Sequence, residues 1–285
     1  MVRRTVLFSP GDQPSLLRNA PDSGADVVVF DLEDAVAPTA KAEARETVAA
    51  VVSELDANCE LCVRLNPLAD GGRQDLEVLG SALSAVDSLM LPKVSSGAAV
   101  SRLVDRVDAD GTELPILALL ETATGVLSAP EISAVDAVDA LLLGAEDLSA
   151  DVGLTRSTDG TEILHARQQV VLAASSENID AIDTLHTDFE DTEGLTTDTN
   201  FAVDLGFDGK MAIHPAQVPV INDAFTPDED RVEWAQSILN AKQQADKDGR
   251  GVFSVDGEMI DAPLIAQARD VLDRASAAGV IEDTE

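Results

Sequence analysis

The sequence predicts a (β/α)8 barrel with a C-terminal helical extension, on three observations. Eight short apolar runs recur over about 210 residues, each ending abruptly in polar residues and followed by a helix-like stretch. The runs are continuous rather than alternating, as in strands buried on both faces of a parallel sheet. No G-x-G-x-x-G follows the first run, which removes the usual reason to expect an open dinucleotide-binding sheet.

The runs are Thr5 to Phe8, Val27 to Phe30, Leu61 to Val63, Ser88 to Leu91, Pro115 to Leu120, Ala140 to Leu143, Ala181 to Thr184 and Lys210 to Ile213. Between them lie amphipathic segments such as Thr39 to Leu55, suited to crossover helices. The character then changes. A long polar helix is expected over Pro227 to Asp246, preceded by Thr226 and broken by Asp248-Gly249-Arg250-Gly251. Val252 to Ile260 reads as a short hairpin, and Ala262 to Ala278 as a final helix. The barrel is therefore expected over residues 1–224 and the extension over 225–285. A lid or an arm on a neighbouring subunit is one use of such a segment, and a plain packing helix is the other. Trp234 reads as an anchor of the long helix against the barrel.

Composition narrows the function. The 285 residues carry 19 Lys plus Arg against 53 Asp plus Glu, a net charge of −34, with 45% hydrophobic residues. That apolar content is enough for a core, so the acidity is not that of a disordered tail. So negative a surface repels phosphate backbones and anionic lipids, which argues against nucleic-acid and membrane-surface binding. An evenly acidic, lysine-poor chain suits solubility in molar salt, where screening lengths are about 3 Å, and a haloarchaeal cytoplasm fits it. The apolar stretch at the N-terminus stops at Ser9-Pro10 and is too short for a signal segment, and no run approaches the length of a membrane span. The two cysteines, Cys59 and Cys62, sit at a strand and read as buried side chains rather than a redox or zinc pair.

In such a barrel the chemistry lies at the C-terminal ends of the strands. Those ends carry Ser9 to Asp12, Asp31-Leu32-Glu33-Asp34, Arg64 with Asn66, Pro92-Lys93, Glu121, Glu146-Asp147, Thr184 and His214-Pro215. Arg64 offers a fork that matches a substrate carboxylate. Few carboxylates supplemented by water and substrate oxygens is the Mg²⁺ habit, and Glu121 and Asp147 are the expected ligands. Composition alone leaves open that carboxylates reach strand ends by chance in so acidic a chain. His214 reads as a structural histidine bonded to backbone, His165 as a surface residue, and Lys93 and Lys210 as poor candidates for Schiff-base chemistry beside carboxylates.

Six strings then carry a resemblance, in order along nearly the whole chain. They are Val29-Phe30-Asp31-Leu32-Glu33-Asp34-Ala35-Val36 with Lys41 and Arg45, Val63-Arg64-Leu65-Asn66-Pro67, Leu91-Pro92-Lys93-Val94, Glu121-Thr122-Ala123, Gly144-Ala145-Glu146-Asp147-Leu148, and Gly206 to Pro215. The chain resembles the citrate lyase β-subunit-like family of the aldolase and malyl-CoA lyase superfamily. The resemblance implies a TIM barrel acting on CoA thioesters of small hydroxy dicarboxylic acids, with Mg²⁺ held by Glu121 and Asp147. It implies that Arg64 holds the 2-oxo acid end, and that Glu33 and Asp34 steady the arginine and metal-bound water. It gives Asp261, in Gly257-Glu258-Met259-Ile260-Asp261, the acid/base role on a lid that closes over a neighbouring subunit's site, hence a homo-oligomer, often a trimer or hexamer.

The chain departs from the family at Gln13, where relatives commonly carry arginine, at Ser95 in place of a frequent glutamate, and at His186 in place of tyrosine. These changes fall on the expected CoA contacts, for which Arg4 and Arg18 remain candidates. Two reactions fit. The first is carbon–carbon cleavage of malyl-CoA or a homologue such as citramalyl-CoA, and the second is hydrolysis of the same thioester. A citrate lyase β subunit acting on a carrier-bound thioester is a third reading, opposed by the lid-like Asp261 segment.

Overall fold

The computed structural model describes residues 2–108, 113–247, 252–255 and 257–281. Eight parallel strands close into a barrel in sequence order: β1 Thr5–Pro10, β2 Val27–Asp31, β3 Glu60–Arg64, β4 Ser88–Leu91, β5 Ile116–Leu120, β6 Val138–Leu143, β7 Asp180–Asp183 and β8 Gly209–Ala212. Closure comes from β1 against β8, with Thr5 opposite Lys210 and Leu7 opposite Ala212. The fold is the expected (β/α)8 barrel. Each apolar run became a strand because both of its faces are covered, the inner one by the barrel core and the outer one by helices such as Lys41–Val52 and Leu164–Glu177. Strand β6 starts two residues before its apolar run because exposed Asp139 is drawn into it by Arg3.

Every second strand residue points inward. Val6, Val29, Cys62, Met90, Leu119, Leu142, Ile182 and Met211 pack together inside the barrel. Burial drives the Cys62 thiol well above its ordinary pKa, so this side chain behaves as a small hydrophobe, while Cys59 is half-buried. Both thiols are free.

Below this layer, at the N-terminal end of the strands, Arg3 acts as a plug. Its guanidinium reaches Glu60 (2.7 Å), Asp139 (2.6 Å) and Asp180 (2.9 Å), and Glu60 also accepts from Ser88 at 2.5 Å. A second ionic cluster lies outside the barrel wall. Arg167 pairs with Asp183 (2.9 Å) and Asp198 (2.6 Å), and Lys210 with the same two carboxylates at 2.8 and 2.7 Å. It ties β7 and β8 to the helices Leu164–Glu177 and Thr192–Leu205. Lys210 is fully buried in these pairs, which rules it out as an open amine nucleophile.

The chain divides into two compact units, Arg3–Asp223 and Ala224–Glu285 together with Met1–Val2. The second holds the helix Glu229–Lys247, the antiparallel strands β9 Phe253–Val255 and β10 Glu258–Ile260, and the helix Ala262–Ala277. The expected break at 248–251 and Asp256 lie outside the described residues. Ala235, Ile238, Ile260, Ala268 and Val271 form this unit's own core. Trp234, expected as an anchor on the barrel, is packed into that core with Arg231 4.0 Å over its ring. No helix among the described residues is long and apolar enough to cross a membrane.

Two outcomes test these clusters. Arg3→Met leaves Glu60 buried without its cation and is expected to destabilise the barrel by about 3 kcal/mol in urea unfolding. Adding Glu60→Gln should recover part of that loss, and an Arg3→Met chain as stable as the parent would show the plug to be idle. Burial pushes the Asp198 carboxyl up, but Lys210 and Arg167 outweigh it and hold the group at about 2. A carboxyl depressed on folding contributes stability that is complete above its unfolded value and fades as pH falls towards the folded one. The stability gap between the parent and Asp198→Asn, roughly 2 kcal/mol at neutral pH, should therefore close between about pH 4 and 2.

Candidate active site

The site is built on a strand register. Pairing of β2 with β3 sets Asp31 opposite Arg64 at the C-terminal ends of both. The guanidinium grips the carboxylate with both prongs, Nε to Oδ1 at 2.7 Å and Nη2 to Oδ2 at 2.5 Å. Nη1 stands 3.2 Å from Glu33 Oε2, and the ring of Phe8 lies 4.9 Å beneath. Burial works against the arginine's charge, but Asp31 and Glu33 raise its pKa further still. With five N–H donors, Arg64 keeps free ones for a substrate carboxylate or oxyanion.

Asp31 also organises the loop that follows it. Its oxygens accept from the Glu33 N–H (2.7 Å) and the Ala35 N–H (3.0 Å). Lys41 Nζ donates to the carbonyls of Leu32 (2.8 Å) and Glu33 (2.7 Å) and to Asn66 Oδ1 (2.7 Å). Asn66 in turn is held by buried Asp75, which also takes Arg45 Nε at 2.6 Å. The loops after β2 and β3 are thus one polar network, and Glu33 has little freedom.

Glu121, one residue past β5, is almost wholly buried. Burial, the Glu33 charge and the Asp147 charge together push its carboxyl up to about 8, against the opposing pull of Lys93. Its Oε1 accepts from the Lys93 backbone N–H at 2.8 Å, and Lys93 holds φ at +52°. A lysine in the left-handed region is strained, and the strain sits at the site. The same residue's ammonium contacts Glu33 and lies 3.6 Å from Asp34. Gly144 gives Glu121 its room, since a Cβ there would stand 2.6 Å from Glu121 Cβ. Asp147, half-buried, is in the first turn of the helix Ala145–Val152, whose Ala145 N–H is received by Thr184 Oγ1 at 3.2 Å.

The donor set fits a hard dication. The charges of Glu33 and Asp147 both press on buried Glu121, and Glu33 Oε2, though in ion-pair range of Arg64, accepts no hydrogen bond. A dication there relieves both conditions. No group of three or more His, Cys, Asp or Glu among the described residues is assembled to hold a metal ion outright. An ion on Glu121 and Asp147 would keep water or substrate oxygens in most of its shell, as Mg²⁺ does and structural zinc does not.

Of the other sequence candidates, Asp34 is exposed and lies 3.6 Å from Lys93. Arg18 is exposed and 3.3 Å from Glu54. Arg4 corrects its expectation: it precedes β1 and so stands at the N-terminal end of the barrel, opposite the site, with a two-pronged grip on Asp26 (2.8 and 2.9 Å). It cannot serve a ligand bound at the other end. Asp261 lies in the second unit, exposed, and caps the helix Ala262–Ala277 by accepting from the Leu264 N–H. His214 Nδ1 accepts from the Ala216 N–H at 3.1 Å and its ring stacks on Phe189, the backbone-bonded role expected of it. His165 is exposed in the first turn of its helix. Sequence reasoning gave no site role to Asp31, Lys93, Gly144 or Thr184. The first two were visible as charged strand ends, whereas the others act through contacts that no local pattern encodes.

A cavity of about 750 Å³ lies to one side, between the 156–160 loop and the loop after β7. Glu146, Asp159, Asp191, Glu193 and Asp198 line it, and its one arginine, Arg156, is already held by Glu146 and Glu162. Its charge is wrong for an anionic substrate.

Comparison with known proteins agrees with this geometry. The HpcH/HpaI aldolase/citrate lyase family model matches residues 4–215. The mitochondrial citramalyl-CoA lyase of Rattus norvegicus is 34% identical, over 96% of this chain and 86% of its own. The (3S)-malyl-CoA thioesterase of Cereibacter sphaeroides is also 34% identical, over 96% and 95%. Protein CitE from Mycobacterium tuberculosis, solved in complex with magnesium, acetoacetate and coenzyme A, superposes with a TM-score of 0.79 at 36% identity, over 96% of this chain and 98% of its own. With barrel, strand-end constellation and relatives in accord, the chain belongs to the HpcH/HpaI aldolase/citrate lyase family.

Proposed function

We propose that the chain is a Mg²⁺-dependent lyase that cleaves a short 3-hydroxy-dicarboxylyl-CoA thioester such as malyl-CoA to glyoxylate and acetyl-CoA. The observation that carries this reading is Arg64, locked by Asp31, at the same end of the barrel as buried Glu33 and Glu121 and half-buried Asp147. One side of the site is built for an anion and the other for a cation. A hydroxy acid chelated through its hydroxyl and carboxylate needs both.

Glu121 and Asp147 would hold the ion, which when bound supplies Lewis acidity to the substrate's hydroxyl and carboxylate oxygens. Arg64 binds the carboxylate end and offsets the charge that develops as the hydroxyl proton leaves and the bond to the neighbouring methylene carbon breaks. Because Asp31 fixes the guanidinium in advance, no reorganisation is needed at that moment. Glu33 and Lys93 act as positioning residues, Glu33 through Arg64 and Lys93 through its backbone hold on Glu121. The bond's electron pair passes to the thioester enolate, whose carbon must gain a proton to give acetyl-CoA. Asp261, delivered by a neighbouring copy in a homo-oligomer, is the proposed acid/base: its carboxylate takes the hydroxyl proton as the bond breaks, and the carboxyl so formed gives that proton to the enolate carbon. Its exposure beside the β9–β10 hairpin, with Met259 also exposed, supports that assignment.

Hydrolysis of the same thioester is the second reading, favoured by the thioesterase relative and served by the same groups. Incubation with Mg²⁺ and malyl-CoA, with products resolved by chromatography, separates the two. Acetyl-CoA with glyoxylate is the expected result, malate with CoA would make the chain a thioesterase, and no turnover of any hydroxyacyl-CoA would sink both. Asp261→Asn, assayed alongside, should lose about 100-fold or more in turnover, and full retained activity would remove that residue from the mechanism.

A further inference from the structure

The helices that ring the barrel turn carboxylates to the outside. Lys41–Val52 exposes Glu43 and Glu46, Arg73–Leu79 exposes Glu77, Gly97–Asp108 exposes Asp105, and Thr192–Leu205 exposes Glu193 and Asp204. The helix Leu164–Glu177 breaks this pattern. Its outward residues are His165, Gln168, Leu172, Ser175 and Ser176, which recur at helical spacing as one stripe, and no carboxylate appears before Glu177, its last residue. Its arginine, Arg167, is buried and turned inward onto Asp183 and Asp198.

The helices Ala123–Leu127 and Ala129–Ser133, which connect β5 to β6, pack beside it. Their exposed residues are Thr124, Leu127, Pro130 and Glu131, and Glu131 Oε1 is drawn to the Gly97 N–H at 3.0 Å, at the start of a different helix. Leu127 and Leu172 are 72% and 69% exposed, the highest values for a large hydrophobic among the described residues of the barrel unit. Val152, at 48%, ends the helix Ala145–Val152, which also packs on Ala123–Leu127. Its neighbour Asp151 is tied to the Ala123 N–H at 2.8 Å. In a chain with 53 acidic residues, the place where large apolar side chains are most exposed is also the place where free carboxylates are missing.

We propose that this face, centred on Leu127 and Leu172, is a two-fold contact with a second copy of the chain. Charge selects the occupant. A partner with a basic surface would dock on the acidic faces, and nothing on this stripe recruits it. A second copy carries the same negative charge over the rest of its surface, so two copies meet without like charges opposed only where both are uncharged. A single neutral face then meets its own image, which is the isologous arrangement. The other exposed large hydrophobics of the barrel unit stand elsewhere, Leu16 and Val78 on the helices Pro14–Asn19 and Arg73–Leu79, and Phe189 and Ile213 in the loops after β7 and β8. The contact lies on crossover helices rather than at the mouth, so it is separate from any contact through which a neighbouring copy brings Asp261. It doubles whatever assembly that other contact makes, and the number of copies is even. The lyase reading is not needed for it.

The test is the mass of the assembly formed by the full chain, measured by size-exclusion chromatography with light scattering in molar KCl, where the screening length is about 3 Å. The parent should contain an even number of copies. Leu127→Glu and Leu172→Glu each set like charges against one another across the two-fold axis and should halve that mass, with the far-UV circular dichroism unchanged. Val78→Glu, the same change at an exposed apolar residue of another helix, should leave the mass as it is. A parent of one copy or an odd number of copies, Leu127→Glu or Leu172→Glu with the parent's mass, or Val78→Glu with half of it would overturn the proposal.

Discussion

The bidentate pair between Asp31 and Arg64 is the constraint on which the rest of the site depends. Two charges this deeply buried are costly to desolvate, and the pair persists because strand register sets them opposite one another and backbone amides donate a second hydrogen bond to each carboxylate oxygen of Asp31. From it follow the fold of the Leu32–Ala35 loop, the position of Glu33, and the orientation of the arginine towards the reacting end. Lys41, Asn66, Asp75 and Arg45 extend the same network outward through the loops after β2 and β3.

The carboxylates of this chain fall into separate populations with different physics. Most lie on the surface and set the net charge of −34. Glu60 and Asp180 are balanced by Arg3 below the barrel core, and Asp183 and Asp198 by Arg167 and Lys210 outside its wall. At the C-terminal mouth of the barrel the charges of Glu33 and Asp147 press on buried Glu121, and Arg64 and Lys93, the latter at a strained backbone position, offset part of that negative charge. Charge imbalance of that kind is the physical mark of a cation site.

The barrel was legible because buried parallel strands read as unbroken apolar runs, and the strand-end rule then picked out Arg64 and Glu121. The same rule, applied to Arg4, would have set it at the wrong end for a ligand, since it precedes β1. Lys93 was visible as a charged strand end, but its contacts with Glu33 and Glu121, sixty and twenty-eight positions away, are set only by the fold. Trp234 was read as a link to the barrel because a lone tryptophan on a polar helix needs a partner, and the partner is the core of its own unit. Leu127 and Leu172 stand far apart in sequence and share one uncharged face only when the helices that carry them pack side by side.

The central claim is that Glu121, with Asp147, holds a divalent cation across from Arg64. Calorimetric titration with Mg²⁺ of the parent and of Glu121→Gln tests it most directly, because no substrate or turnover is required. Saturable binding to the parent, weakened at least about tenfold by the substitution with circular dichroism unchanged, is the expected result. Equal Mg²⁺ affinity in the two chains, or none in the parent, would contradict the account.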